Sequence, residues 1–244
     1  ARLMNALQII SRGEAKFVKT DIPNLKPGHA LVRPQLVSLC GSDIHLLHHS
    51  ADEMYPFPPG TSGHEIIAEI VDLQDDSGTF KKGDLCLAIA PDHRGMAEYY
   101  LAPIKNLIPL ASGKTVEELL MSQQLGTVIY AAKQLPNIVG KTAVVIGQGS
   151  AGQWFNFILR QLGAGKILGI DKIESRLKLS ENYGATQTFN SSRGSALDYL
   201  KQFNRGELAE IVVEAAGTQS SINLSFQLAR EFTGFILQFG VPRE

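Results

Sequence analysis

Apolar and polar positions follow two different patterns along this chain. Up to about residue 110, "NALQII", "AKFVKT", "HALVRPQLVSL", "HEIIAEIVDL", "DLCLAIA" and "MAEYYLA" are short, β-branched or alternating. The turn-forming stretches "PNLKPGH", "PFPPGTSG", "QDDSGTFKKGD" and "PDHRG" separate them. A period of two bounded by Gly and Pro predicts strands, and a run of such strands predicts a compact β-rich barrel or sandwich-like domain. Beyond residue 140 the pattern alternates. Continuous apolar strands are expected near 142–147, 166–171, 186–189, 210–214 and 234–239, with helical segments such as "SAGQWFNFILRQLG", "SALDYLKQF" and "QSSINLSFQLAR" between them. Strands apolar on both faces, each followed by a helix, predict a parallel, doubly wound sheet. The first of these helices reads as apolar nearly all round, with Trp154 and Phe157 on a buried face.

Between the two patterns, "TVEELLMSQQLGTVIYAAKQL" predicts a long linking helix with a break near Gly126. The expected domains are therefore 1–135, β-rich with the linking helix, and 136–244, α/β. A full dinucleotide-binding sheet has six parallel strands. The sequence stops at "GVPRE", just past the fifth, so a C-terminal truncation is expected, and the lack of an initial Met leaves the N-terminus open too.

Composition narrows the function classes. The 244 residues are 44% hydrophobic and 19% charged, with a formal net charge of -1. No Lys/Arg cluster marks a nucleic-acid surface. No apolar run approaches the roughly 18 residues of a membrane span, and no signal-peptide layout opens the chain. The two cysteines, Cys40 and Cys86, do not make a disulfide scaffold and read as reduced thiols of a cytoplasmic protein, Cys86 in the core.

"VVIGQGSAG" carries Gly147-x-Gly149-x-x-Gly152 directly after an apolar strand and at the start of a helix. Asp171 closes the next strand 19 residues beyond Gly152, close to the roughly 20 expected of a dinucleotide fingerprint. Gly147 permits the tight turn, Gly149 lets the backbone approach a pyrophosphate, and Gly152 lets helix and strand pack closely. The helix N-terminus offers unpaired N–H groups to phosphate. Asp171 suits a ribose 2′-hydroxyl and repels a 2′-phosphate, which favours NAD over NADP. The nearby Lys172 and Arg176 partly offset that repulsion.

A second set of residues points to a metal. "CGSDIH" at 40–45 and "GHE" at 63–65 supply a thiol and an imidazole, Cys40 and His64, upstream of the nucleotide fold. A catalytic zinc site needs three protein ligands and one open position. His48 and His49 read as rim or surface residues, and Asp92, His93 and Arg94 as a solvated turn.

"CGSDIH", "GHE" and "VVIGQGSAG", in that order, with "KKGDLCLAIA" and "VVEAAG", resemble the zinc-dependent medium-chain dehydrogenases, the alcohol and polyol dehydrogenase superfamily. The resemblance covers essentially the whole chain. It implies a GroES-like catalytic domain, a Rossmann domain and an active site in the cleft between them. It also implies that Cys40 and His64 ligate zinc, and that Glu65 lies beside the metal as a transient ligand or outer group. Ser42 and His45 would relay a proton, Asp43 would orient the ligating histidine, and Thr127 would lie near the nicotinamide. A small alcohol or polyol would be oxidised by NAD, and a homo-oligomer is a possibility.

The chain departs from the family pattern in two further places. "APDHRGMAEYY" replaces the four-cysteine lobe of many relatives, so one catalytic zinc and no structural zinc is expected. The third ligand, usually Cys or Glu at the start of the linking helix, aligns with Gln123, a poorer zinc ligand; water or Glu65 is the alternative. A zinc-free reductase of the same fold and a non-catalytic dinucleotide-binding protein are the rival readings.

Overall fold

The computed structural model describes residues 2–242. Contacts divide the chain into two compact units, one running to Gln123 and one from Gln124.

In the first unit, β1 (Leu3–Ser11) and β2 (Glu14–Asp21) form an antiparallel hairpin. β3 (His29–Ser38) leads to a short helix, α1 (Gly41–His48). Then come β4 (Glu65–Gln74), β5 (Leu85–Ile89), β6 (Tyr100–Pro103) and β7 (Leu107–Pro109). β3 to β7 make an antiparallel sheet in the order β6-β3-β4-β5-β7. Pro34 sits inside β3, where a missing N–H would normally break a ladder. It is tolerated because β6 pairs only with His29–Val32 and because the β3–β4 register shifts between Pro34 and Leu36. β4 is covered on both faces: Ile66, Ile70 and Cys86 pack in one cluster, Ile67, Leu87 and Leu120 in another.

This sheet sets the candidate site through its register. Ser38 at the end of β3 pairs with Glu65 at the start of β4, and Glu65 pairs with Ile89 at the end of β5. Cys40, His64 and His93 therefore flank the same end of three neighbouring strands.

Leu120 belongs to α2 (Val116–Ala132). Thr115 and Glu118 start this helix with a reciprocal capping box, backbone N–H of each to the side chain of the other at 3.0 and 3.2 Å. The break expected near Gly126 does not occur; α2 runs through it. One interior Gly costs about 1 kcal/mol, too little to end a helix otherwise rich in Leu, Glu, Gln, Met and Ala. The division between the units falls inside α2.

The second unit continues with β8 (Thr142–Ile146), α3 (Ser150–Gln161), β9 (Lys166–Asp171), α4 (Glu174–Ser180), β10 (Gln187–Asn190), α5 (Ala196–Phe203), β11 (Ile211–Glu214), α6 (Gln219–Leu228) and β12 (Phe235–Gln238). All five strands are parallel, in the order β10-β9-β8-β11-β12. This is a doubly wound sheet whose strand order reverses between β8 and β11, where such folds bind ligands. Alternate residues of each strand feed opposite layers: Ala143, Val145, Ile167 and Val213 pack with Phe155 and Leu159 of α3, whereas Val144, Ile146, Leu168 and Val212 pack with Leu200 and Leu228.

One expectation for this unit is corrected. α3 is not apolar all round but buries a single stripe, Gly152, Phe155, Asn156 and Leu159. Trp154 packs at the edge of that core, while Phe157 is exposed. The fully buried Glu214 ends β11 and ties its neighbours together: it accepts Ala216 N–H and Gly217 N–H, each at 2.8 Å, and the Ser221 hydroxyl at 2.6 Å. Among the described residues, no helix is long and apolar enough to cross a membrane.

Candidate functional site

The residues of "CGSDIH" are organised by the cap of α1. Cys40 is the N-cap, with its Sγ accepting the Ser42 N–H at 3.4 Å, and Asp43 closes the capping box by accepting the Cys40 N–H at 2.8 Å. Asp43 is buried, and its other oxygen accepts the Ser62 hydroxyl and the Gly63 N–H, each at 2.7 Å. One carboxylate thus fixes both the turn that carries Cys40 and the loop that delivers His64. These bonds place Asp43 on the loop before His64, within 4.8 Å of the ligand-capable atoms of His64 and His93.

Cys40 Sγ lies 3.6 Å from His64 Nε2, and Glu65 Oε1 lies 3.9 Å from the same nitrogen. Ligand-capable atoms of Cys40, His64 and Glu65 all fall within 4.8 Å of one another. Glu65 is buried and anchored by the Ser38 hydroxyl. Ser42 Oγ is 2.7 Å from Cys40 Sγ and 3.5 Å from His64 Nδ1. His45 is half-buried; its Nδ1 is fully enclosed without a hydrogen-bond partner, and its ring stands 5.9 Å from that of His49. His48 and His49 are exposed.

Burial alone would push the Cys40 thiol up, but the hydrogen bonds from His64 and Ser42 outweigh it and bring the thiol below its ordinary range. The Cys40 hydrogen bond raises the His64 imidazole, against the opposing effect of burial. Cys86 is the opposite case: fully buried, with its pKa pushed up to about 12 by desolvation. Alkylation of the native, metal-free protein at neutral pH is therefore expected to modify Cys40 and spare Cys86, and added zinc should protect Cys40. Peptide mass mapping checks this; equal labelling of both thiols would contradict it.

Asp92 and Arg94 are exposed, as expected for a solvated turn, but His93 is not part of that surface. Its ring packs edge-on against His64 at 4.5 Å between centroids, and its Nδ1 is buried without a partner. Sequence reasoning missed this contact because 29 residues separate the two histidines and no periodic signal links them.

In the second unit the glycine turn follows β8. Gly147 has φ of 91°, a left-handed conformation that favours glycine, and a Cβ there would press on the backbone of Ala215 and Ala216 at 3.0 Å. A Cβ on Gly152 would lie 1.9 Å from the Gly147 carbonyl oxygen. A Cβ on Gly149 would meet nothing within 4 Å, so the space over this residue is open. Asp171 closes the turn: Oδ2 accepts the Gln148 N–H at 2.7 Å, and Oδ1 accepts the N–H groups of Lys172 and Ile173 at 2.7 and 2.9 Å. Arg176 stands 3.7 Å from Asp171 Oδ2. Beneath the turn, the buried Gln148 side chain accepts from Asn156 Nδ2 at 2.6 Å and from Ser180 Oγ at 2.7 Å, a network not expected from the sequence. Gln123 is half-buried and Thr127 exposed, four residues apart on one face of α2.

Comparison with known proteins gives a consistent picture. Residues 26–112 match the family model of the alcohol dehydrogenase GroES-like domain, and residues 151–244 match that of the zinc-binding dehydrogenases. The L-threonine 3-dehydrogenase of Caldanaerobacter subterraneus subsp. tengcongensis is 26% identical over 85% of this chain and 67% of its own length. The D-xylulose reductase A of Aspergillus oryzae is 27% identical over 94% of this chain and 73% of its own. Among solved structures, the alcohol dehydrogenase of Thermus sp. ATN1 superposes with a TM-score of 0.86 at 24% identity, covering 99% of this chain and 78% of its own. A zinc-binding dehydrogenase from Sinorhizobium meliloti, bound to NADP, gives 0.84 at 23% identity, covering 100% and 78%.

Proposed function

The chain belongs to the zinc-dependent medium-chain alcohol and polyol dehydrogenase superfamily, and we propose that it transfers a hydride between an alcohol or polyol and NAD at one zinc ion held by Cys40 and His64. The observation that carries this reading is the 3.6 Å separation of Cys40 Sγ and His64 Nε2. A tetrahedral ion with Zn–S near 2.3 Å and Zn–N near 2.0–2.1 Å spans about 3.5 Å between two such ligands. The pair thus already has the length of a zinc edge, with the Glu65 carboxylate beside it.

Bound there, zinc would polarise the substrate oxygen and lower the alcohol's pKa. The chain's own residues do the rest. Asp43 holds the Cys40 turn and the His64 loop in register. Ser42, in contact with both ligands, is placed to receive the hydroxyl proton. His45, half-buried three residues further along α1, is assigned the outward step of that relay.

The open space over Gly149 and the N–H groups opening α3 suit a pyrophosphate. Asp171 is the reason for choosing NAD over NADP, and Thr127 is assigned to the nicotinamide side. One zinc rather than two is proposed because Cys40 is committed to this edge and Cys86 is sealed in the core. A small-molecule substrate, a cytoplasmic location and a homo-oligomer complete the reading.

Purified protein is expected to contain about one zinc per chain and to reduce NAD in the presence of at least one member of a panel of alcohols, polyols and sugars. Zinc near zero together with no alcohol-dependent NADH formation would sink the proposal.

A further inference from the structure

We propose that His93 is a third protein ligand of the metal centre, standing where the linking helix offers only Gln123. The inference rests on the zinc reading of Cys40 and His64 and deepens it.

His64 is common to two groups of ligand-capable side chains, one with Cys40 and Glu65, the other with Asp43 and His93, each group mutually within 4.8 Å. Three donors already occupy the Asp43 carboxylate, namely Cys40 N–H, Ser62 Oγ and Gly63 N–H, and commit it to holding the backbone. His93 is in the opposite condition. Its Nδ1 is buried and has no partner, a state that is costly unless something satisfies it. A metal ion is one such partner, and the imidazole is among the ions' commonest ligands.

The loop that carries His93 is built to hold it there. The His93 carbonyl accepts the Ser62 N–H at 2.5 Å, the Gly95 N–H donates to the Gly63 carbonyl at 3.0 Å, and Ser62 and Arg94 form a parallel bridge. The loop is therefore strapped to the segment that delivers His64. His93 itself has φ of 51°. That left-handed conformation is uncommon outside glycine, although His is among the residues that tolerate it. His93 thus packs against the same imidazole that forms the Cys40–His64 edge, with 4.5 Å between ring centroids.

The chemistry suits catalysis. One thiolate and two neutral imidazoles leave a zinc centre with a net charge of about +1 and a fourth position open for substrate, as a catalytic site requires. A carboxylate or second thiolate in third place would leave it neutral. The His93 set thus makes a stronger Lewis acid and is a better donor set than one completed by the neutral carbonyl of Gln123.

The test is metal affinity, read independently of turnover. Zinc binding is measured by chelator competition, and cobalt substitution reports the coordination sphere through its visible spectrum. His93→Asn tolerates the left-handed backbone but removes the imidazole, and His93→Gln serves as a second variant should the first fold poorly. Either is expected to weaken zinc binding by at least about 10–100-fold and to alter the cobalt spectrum, since even the groups behind a ligand are worth that much. His93→Cys is expected to recover affinity and add thiolate-to-cobalt charge-transfer absorption. Zinc affinity and cobalt spectrum unchanged in a folded His93→Asn or His93→Gln, with metal lost in Cys40→Ala, would overturn His93 as ligand and leave the parent reading standing. Metal retained in Cys40→Ala would overturn the parent reading itself.

Discussion

Cys40→Ala is expected to remove zinc and to lower alcohol oxidation by about 10³-fold or more, with NAD affinity unchanged to within about a factor of two. A Lewis-acid metal supplies several kcal/mol to the reaction, and each 1.36 kcal/mol is tenfold in rate. Cys40 is also the N-cap of α1, and losing a cap costs roughly 1 kcal/mol of stability. A fall in activity could therefore come from the helix rather than from the metal. Cys40→Ser separates the two effects, because serine is a preferred N-cap and its hydroxyl is a poor zinc ligand. Both variants should be metal-free, with the serine variant the more stable of the two. NAD binding should survive in each because the glycine turn and Asp171 lie in the second unit, which begins at Gln124. Metal content, turnover and a fluorescence titration with NAD are the measurements. Normal turnover in the alanine variant would exclude the zinc mechanism.

How far this site could be read from the sequence depended on how local each part is. The nucleotide half is contiguous: Gly147, Gly149 and Gly152 lie within six residues, and Asp171 ends the very next strand, so spacing alone pointed to the turn, and strand–helix alternation pointed to the parallel sheet that carries it. The pairing of Cys40 with His64 is different. Their side chains meet because Ser38 on β3 is in register with Glu65 on β4, and no residue pattern announces a register. Only the resemblance to known dehydrogenases linked the two motifs. The start of α1 was hidden because its cap is a cysteine, outside the usual Ser, Thr, Asp and Asn set. Asp43 was expected to orient the histidine; its carboxylate accepts the Cys40 and Gly63 N–H groups and the Ser62 hydroxyl, and it lies within 4.8 Å of a His64 ring nitrogen. His93 was grouped with Asp92 and Arg94 because charged residues beside Gly and Pro read as a solvated turn. The loop's bonds to Ser62 and Gly63 turn that one side chain inward. On α3, Trp154 and Phe157 made the helix look apolar on every side, although the packed stripe runs through Phe155 and Leu159.

The glycines of the turn can be told apart by experiment, because their added methyl groups would meet different things. Gly152→Ala is expected to destabilise the second unit by about 3 kcal/mol or more, at the upper end of overpacking effects. Its Cβ would sit 1.9 Å from the Gly147 carbonyl oxygen and 2.9 Å from the Gly147 carbonyl carbon. Both are backbone atoms that no side-chain rotation can move aside, and Gly147 is itself held by its N–H bond to the Ile170 carbonyl. α3 must then back away from β8, taking its N-terminal N–H groups with it, so NAD affinity falls together with stability. Gly149→Ala should behave otherwise. Gly149 has φ of -69°, which any residue adopts, and its Cβ would touch nothing within 4 Å. The fold should be as stable as the parent, while NAD affinity drops by about tenfold or more because the methyl group fills the space a pyrophosphate needs. Zinc content should be unchanged in both. Denaturant unfolding and NAD titration of the two variants give the comparison. If Gly149→Ala bound NAD as tightly as the parent, the cofactor's phosphates would not lie over this turn, and the assignment of the fingerprint would have to be withdrawn.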